Sequence, residues 1–199
     1  MDELDLLDWK RHVFELYARV REARDPETGW RDWRDTRREL FRDHPQSPVP
    51  ADERGGFGGP LVYDYDPAWR LLAEVEPTDE ERFELPSSDS ATMSFRRFAR
   101  AHAREVTLDV YWLEGYGGGL FLPFADATSG EETYGAGRYL LDTVKGADLG
   151  TADGRLVLDF NFAYQPSCSY DPRWTCPLAP PANRLNAHVE AGERLTLSS

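Results

Sequence analysis

After Pro60 the apolar residues change period, and this change constrains the fold of the 199-residue chain more than any other feature. The segments LVYDY, RLLAEVE, MSFRRFA, EVTLDVYWLE, GLFLPFADA, GRYLLDTV and RLVLDFNFAY are short and rich in Val, Leu, Tyr and Phe. Gly, Pro, Asp or Ser separates them, which is the pattern of successive antiparallel strands. Seven strands in a length that suits one core predict a β-barrel, with a two-sheet sandwich as the alternative. FRRFARAHAR carries both a helical Phe95/Phe98 spacing and an alternation of Arg100, His102 and Arg104 with alanines; it reads as strand. No internal repeat is visible.

Before Pro60 the period is helical. From Asp2 to about Arg24, Leu4, Leu7, Val13, Leu16, Tyr17 and Val20 form an apolar stripe among charged residues, which predicts an amphipathic helix. A polar stretch with Trp30 and Trp33 follows, then RDTRRELFRDH as a second, short helix that Pro45 ends. HPQSPVPADERGGFGGP reads as a long surface loop, partly ordered or disordered. The expected organisation is one α+β, mainly β domain: a helical segment over residues 1–45, a Pro/Gly loop over 46–60 and an antiparallel β core over 61–199. The N-terminal helix covers one opening or face of the sheet.

The charge balance prunes the partners. There are 36 acidic and 23 basic residues, a net charge of -13, and Lys10 and Lys145 are the two lysines. A net acidic surface disfavours nucleic acid and anionic lipid. An acidic, Arg-rich and Lys-poor chain fits a halophilic archaeal protein working in concentrated salt, where the Debye length falls to about 3 Å and self-repulsion costs little. A GC-rich genome is the competing explanation, and it accounts for the missing Lys but not for the excess Asp. The acidic N-terminus is unlike a signal peptide and no apolar run is long enough to span a membrane, so the expected location is the cytoplasm.

Common catalytic motifs are missing. The chain has no GxxxxGK[ST] loop, no HExxH and no GxSxG, and GYGGG and TYGAGRY carry Leu120 and Leu140 where GxGxxG needs its third glycine. His12, His44, His102 and His188 lie far apart, and neither a metal nor a cofactor is expected. Cys168 and Cys176 could be packed thiols that pair as a disulfide, a redox couple, or two ligands of a metal site that needs two more.

The polar residues on the strands are more informative. In RLVLDFNFAY an apolar row of Leu156, Leu158, Phe160 and Phe162 opposes Val157, Asp159 and Asn161. In ETYGAGRYLLD, Glu132, Tyr134, Arg138 and Asp142 share one parity, and Asp126 shares parity with Phe124 and Leu122. In a barrel such groups point into the lumen, where apolar walls with a few placed polar groups make a ligand site. A structural ion pair of Asp126 or Asp159 with Arg138, or a wet polar face, is the alternative.

These same residues carry a resemblance. The stretch GYGGGLFLPFADATSGEETYGAGRYLLDTVKGADLG, and then LVLDFNFAYQPSCSYDPRWTCPLAPPANRL, resembles the C-terminal core of the domain-of-unknown-function family 1684. SPVP and LVYDYDPAWRL resemble its earlier blocks. The family pattern, FxDxTxGxxTYGxGRYL and LDFNxAYNPxCxYxxxxxCPxxPxxNxL, takes in Asp126, Tyr134, Arg138, Asp159, Asn161, Cys168, Cys176 and Asn183. Gln165 stands where the family usually has Asn. The resemblance implies a cytosolic prokaryotic domain and no specific activity.

Three functions fit these residues. The first is a binding module for a small polar or anionic ligand, with Arg138 as charge partner and Tyr134, Asn161 and Asn183 as hydrogen bonders. The second is an enzyme with Asp126 or Asp159 as general base. The third is an interaction domain using exposed Trp30, Trp33 and the Pro/Gly loop. The oligomeric state is not legible.

Overall fold

In the computed structural model, which describes residues 2–86 and 92–195, two helices precede the strands. Helix α1 spans Asp2–Glu22 and α2 spans Pro26–Asp43. Asp25 starts α2: its carboxylate accepts from the Thr28 amide at 3.0 Å and the Thr28 hydroxyl at 2.8 Å, and Pro26 opens the first turn. The second helix is therefore longer than RDTRRELFRDH and absorbs the polar stretch that holds Trp30 and Trp33. Trp30, Trp33, Arg37, Leu40 and Phe41 recur at helical spacing and form its buried face. Trp30 and Trp33 are 4% and 0% exposed, so neither is the surface anchor the sequence suggested.

The apolar stripe of α1 is only half used. Leu16 and Tyr17 are buried and Val13 and Val20 pack against the core, but Leu4 and Leu7 are exposed. The reason is the shorter partner: α2 ends at His44, beside Asp8 and Trp9, so the first turns of α1 project beyond it.

Among the described residues nine strands follow: β1 (Leu61–Val62), β2 (Arg70–Pro86), β3 (Thr92–Ala103), β4 (Val106–Leu113), β5 (Gly119–Phe124), β6 (Arg138–Asp142), β7 (Thr151–Ala152), β8 (Arg155–Asp159) and β9 (Glu193–Arg194). FRRFARAHAR is strand as far as Ala103, as its alternation implied, and Arg104 opens the turn to β4. LVYDY contributes only two strand residues, and RLVLDFNFAY leaves the sheet after Asp159 for a 3-10 turn over Phe160–Phe162. Residues 87–91 and 196–199 of the expected β core lie outside the described residues.

Seven strands form one antiparallel sheet in the order β6-β5-β4-β3-β2-β8-β7, and β1 pairs with β9. The sheet curls into a half-barrel. Just beyond β8, Tyr164 reaches across to β6 in a single bridge, with Tyr139 N–H donating to Tyr164 O at 2.8 Å and the reverse bond at 3.0 Å. The α+β class is as expected; the architecture is an open, curled sheet lying between the barrel and the sandwich. Its interior holds Leu71, Ala101, Leu108, Val110, Leu122, Phe124 and Leu140, capped by Trp33 against Phe162 with ring centroids 5.5 Å apart. A second aromatic cluster joins Phe95, Tyr111, Phe121 and Tyr139.

The Pro/Gly loop is packed, not draped. Val49 and Phe57 sit on Leu40, Phe41 and Tyr170, and the Arg54 guanidinium donates to the carbonyls of Val49 (2.9 Å), His44 (3.1 Å) and Ser47 (3.2 Å). A proline-rich segment forms few ladder bonds of its own, and one arginine supplies the missing donors.

Candidate functional site

Asp126, Tyr134, Arg138, Asp159, Asn161 and Asn183 do not converge on one lumen. The structure divides them into four places, most of them engaged in holding backbone.

Asp126 and Arg138 do meet, 3.4 Å apart, each with a fully buried side chain. Asp126 accepts from the Thr128 hydroxyl (2.9 Å) and the Val189 amide (2.9 Å). Arg138 donates to the carbonyls of Val189 (3.0 Å), Glu193 (3.1 Å) and Ala191. The pair staples residues 189–193 across the barrel. Glycines make room for it: Gly137 and Gly192 have φ of 93° and 79°, and a Cβ at either would strike a carbonyl, of Phe124 or of Ala163. Burial pulls the Arg138 guanidinium below its ordinary value while Asp126 opposes the shift.

Asn183 and Asn161 anchor two facing lips. Asn183 accepts from the Asp109 amide (2.8 Å) and donates to the carbonyls of Asp109 (2.9 Å) and Pro123 (2.7 Å), which lays residues 183–187 alongside Ala125. Asn161 accepts from the Asp66 amide (2.9 Å) and donates to the Asp66 carbonyl (2.8 Å), which fixes residues 66–69. Asp66 then caps its own 3-10 turn by accepting from Ala68 N–H at 2.8 Å.

Between these lips and the β3–β4 turn lies an open groove of about 990 Å³ at the mouth of the half-barrel. Trp69, Leu71, Val106 and Leu185 form apolar walls, and Asp66, Glu105, Arg104 and Arg184 line its edge. Trp69 is held by an edge contact with Phe160, ring centroids 5.8 Å apart. Arg104 has a φ of 52°, a conformation that favours glycine or asparagine, and its guanidinium donates to the Ala68 carbonyl at 3.3 Å. Among the described residues neither Arg104 nor Arg184 has a carboxylate in ion-pair range.

Asp159 occupies the third place, where the α1–α2 elbow meets β7 and β8, and Tyr134 the fourth. Its Oδ1 accepts from Asn161 N–H (3.1 Å) and Asn161 Nδ2 (2.8 Å). Among the described residues its buried Oδ2 meets no full hydrogen bond, and Arg70 Nε stands 3.6 Å away. Burial pushes this carboxyl up to about 6, against the pull of the Asn161 hydrogen bonds, Arg70 and Tyr65.

Tyr134 belongs to the cysteine region. Burial, then a hydrogen bond with Cys168, raises its phenol to about 12. Cys168 and Cys176 are free thiols, with the Cys168 amide donating to Cys176 Sγ at 3.3 Å. Burial and the neighbouring Cys176 lift the Cys168 thiol to about 11. At the surface His188 bridges two carboxylates, Nε2 to Glu132 at 2.9 Å and Nδ1 to Glu190 at 3.3 Å, and the Tyr63 hydroxyl donates to Glu132.

Sequence reasoning missed Trp69, Arg70, Arg104 and Arg184 as site residues. PAWR and NRL stood inside the quoted blocks, yet no periodicity marks a turn residue as facing a groove. It also missed Glu193, fully buried, which accepts from Arg37 Nε (2.8 Å), Gln165 N–H (2.8 Å) and the Tyr170 hydroxyl (3.0 Å), with Arg37 Nη2 in ion-pair contact at 2.6 Å.

A family model described as a protein of unknown function, DUF1684, matches residues 56–194. The solution structure of an uncharacterised protein from Haloarcula marismortui is 35% identical, covers 85% of this chain and 94% of its own, and superposes with a TM-score of 0.60. No protein with a curated description matches.

Proposed function

The chain belongs to the domain-of-unknown-function family 1684, and within that family we propose that it is a small-ligand-binding domain whose site is the groove at the half-barrel mouth. The carrying observation is the pair of guanidiniums, Arg104 and Arg184, set without carboxylate partners among the described residues on the edge of an apolar, Trp69-bearing groove of about 990 Å³. Apolar walls with a few placed charges are the usual make-up of a ligand pocket. Arg104 adds to this, since a bulky side chain held at positive φ is costly and such outliers gather at functional sites. The ligand class is an amphiphilic anion: an aromatic or aliphatic body on Trp69, Leu71 and Leu185, and a carboxylate, sulfonate or phosphate toward the guanidiniums. The reading shifts the anion partner from Arg138, which is consumed by backbone carbonyls, to Arg104 and Arg184. The acidic, Lys-poor composition supports a salt-rich cytoplasm as its setting.

The test uses 1-anilinonaphthalene-8-sulfonate, an aromatic anion whose fluorescence rises in apolar sites. One saturable site is expected, with energy transfer from Trp69 that falls in Trp69→Phe. Arg184→Glu combined with Arg104→Glu is expected to weaken binding by about tenfold or more, equivalent to about 1.4 kcal/mol. Binding that is unsaturable, or indifferent to both charge reversals, overturns the proposal.

A further inference from the structure

The cleft at the α1–α2 elbow is built for a ligand of a different kind. Its walls are Val20, Ala23, Leu149, Val157 and Phe162, and its volume is about 160 Å³. Its polar floor is Asp159, 1% exposed. Asn161 occupies Oδ1 twice, and among the described residues Oδ2, though buried, meets no full hydrogen bond; the Tyr65 phenol pulls only weakly on the carboxyl, after Asn161 and Arg70. A buried acceptor left unpaired costs about 1–3 kcal/mol, so a site that keeps one is expected to meet a donor from elsewhere. Arg70 faces the same space. Its Nε is 3.6 Å from Oδ2, close enough for charge attraction and too far for a hydrogen bond, and among the described residues it has no other carboxylate partner. Arg21, which also lines the cleft, is already engaged by Asp148, donating to its carbonyl at 2.7 Å with the carboxylate 3.7 Å away.

We propose that this cleft binds a compact molecule carrying a carboxylate beside a hydroxyl or ammonium group, a small α-hydroxy or α-amino acid. Its donor meets Asp159 Oδ2 and its carboxylate meets the Arg70 guanidinium. Both partners of the split ion pair then gain the hydrogen bond they lack, and a dipolar or singly charged ligand suits a cleft whose facing charges cancel. Size points the same way. At about 30 Å³ per water, the cleft has room for about five water-sized groups, which is the size of glycolate or glycine. The inference does not rest on the groove at the barrel mouth, which shares no lining residue with this cleft.

The experiment is a titration of the full-length, ¹⁵N-labelled protein with glycolate and with glycine, and with acetate as the carboxylate that lacks a donor. One of the first two is expected to shift the amide signals of Gly150, Thr151, Ala152 and Asn161 saturably, with a Kd of about 1 mM or tighter. Glycolate alone assigns the hydroxyl form, and glycine alone the ammonium form. Acetate is expected to bind about tenfold more weakly or not at all. Asp159→Asn keeps its carbonyl on Asn161 and turns an NH₂ into the cleft, so binding should weaken about tenfold. If that variant does not fold, Ala152→Leu, which narrows the rim, is expected to abolish binding without lowering the melting temperature. Arg184→Glu should leave these shifts unchanged while disturbing the groove. No saturable shift with either probe overturns the site, as does a shift that survives Ala152→Leu or a folded Asp159→Asn.

Discussion

Asp159→Asn should make the protein more stable at neutral pH and remove one component of its pH dependence. The carboxyl rises from 3.8 to about 6 in the fold, chiefly because its 1% exposed position strips water from the charged form. At 1.36 kcal/mol per pKa unit, ionised Asp159 is then about 3 kcal/mol less favourable in the native state than in the unfolded chain. The sign is opposite to that of a salt-bridged aspartate. Below about pH 3.8 the neutral acid's contribution is fully present, and it is lost as pH rises toward and through 6, because the native state holds the proton longer than the unfolded one. Asparagine resembles the neutral acid in shape and keeps an oxygen for Asn161. The stability difference, variant minus wild type, should therefore grow by about 2 kcal/mol between pH 4 and 7 and then level off. Urea unfolding followed by tryptophan fluorescence at several pH values, with slopes checked for constancy, measures it. A difference that stays flat or shrinks with rising pH would show that burial does not govern this carboxyl.

Three further outcomes are expected. Arg138→Met strands Asp126 and the carbonyls of Val189, Ala191 and Glu193, and should cost about 3–5 kcal/mol in chemical denaturation; a loss near zero would mean that residues 189–193 are held by other contacts. Cys168, lifted from 9.0 to about 11, should react with a disulfide reagent at pH 7–8 about a hundredfold more slowly than an unperturbed thiol and speed up with rising pH; equal rates in native and urea-unfolded protein would refute that. With a net charge of -13, the melting temperature should climb between dilute and molar KCl, and an unchanged midpoint would remove the case for salt adaptation.

The strands were legible for two reasons: β3 and the start of β2 are half-buried and write their burial as a period of two, while β5 and β6, buried on nearly both faces, show as short runs of Leu, Phe and Tyr between turn residues. The second helix was only partly legible. Its buried face runs Trp30, Trp33, Arg37, Leu40, Phe41, and the arginine in the middle breaks the apolar pattern. Arg37 is buried because Glu193, 156 residues away, neutralises it, a pairing that no local window contains. The candidate site fared less well for a related reason. Parity along a strand says which residues share a face, and four of the candidates lie in no strand: Asp126 and Asn161 sit just past a strand end, Tyr134 in the β5–β6 connection and Asn183 in a 3-10 turn between β8 and β9, where that period does not run.

Composition, period and motif spacing by themselves determined the α+β class, the antiparallel strands, the leading amphipathic helix and the family. Each of these is written in neighbouring residues, through side-chain alternation, capping and turn chemistry. Only the tertiary structure decided that the sheet stops at a half-barrel, that Arg138 and Asn183 hold backbone, and that Arg104 and Arg184 face one groove while Asp159 and Arg70 face another cleft. Those outcomes depend on which distant segments supply a donor, an acceptor or a countercharge to a buried group, and burial sets the worth of such a contact only once the chain has closed around it.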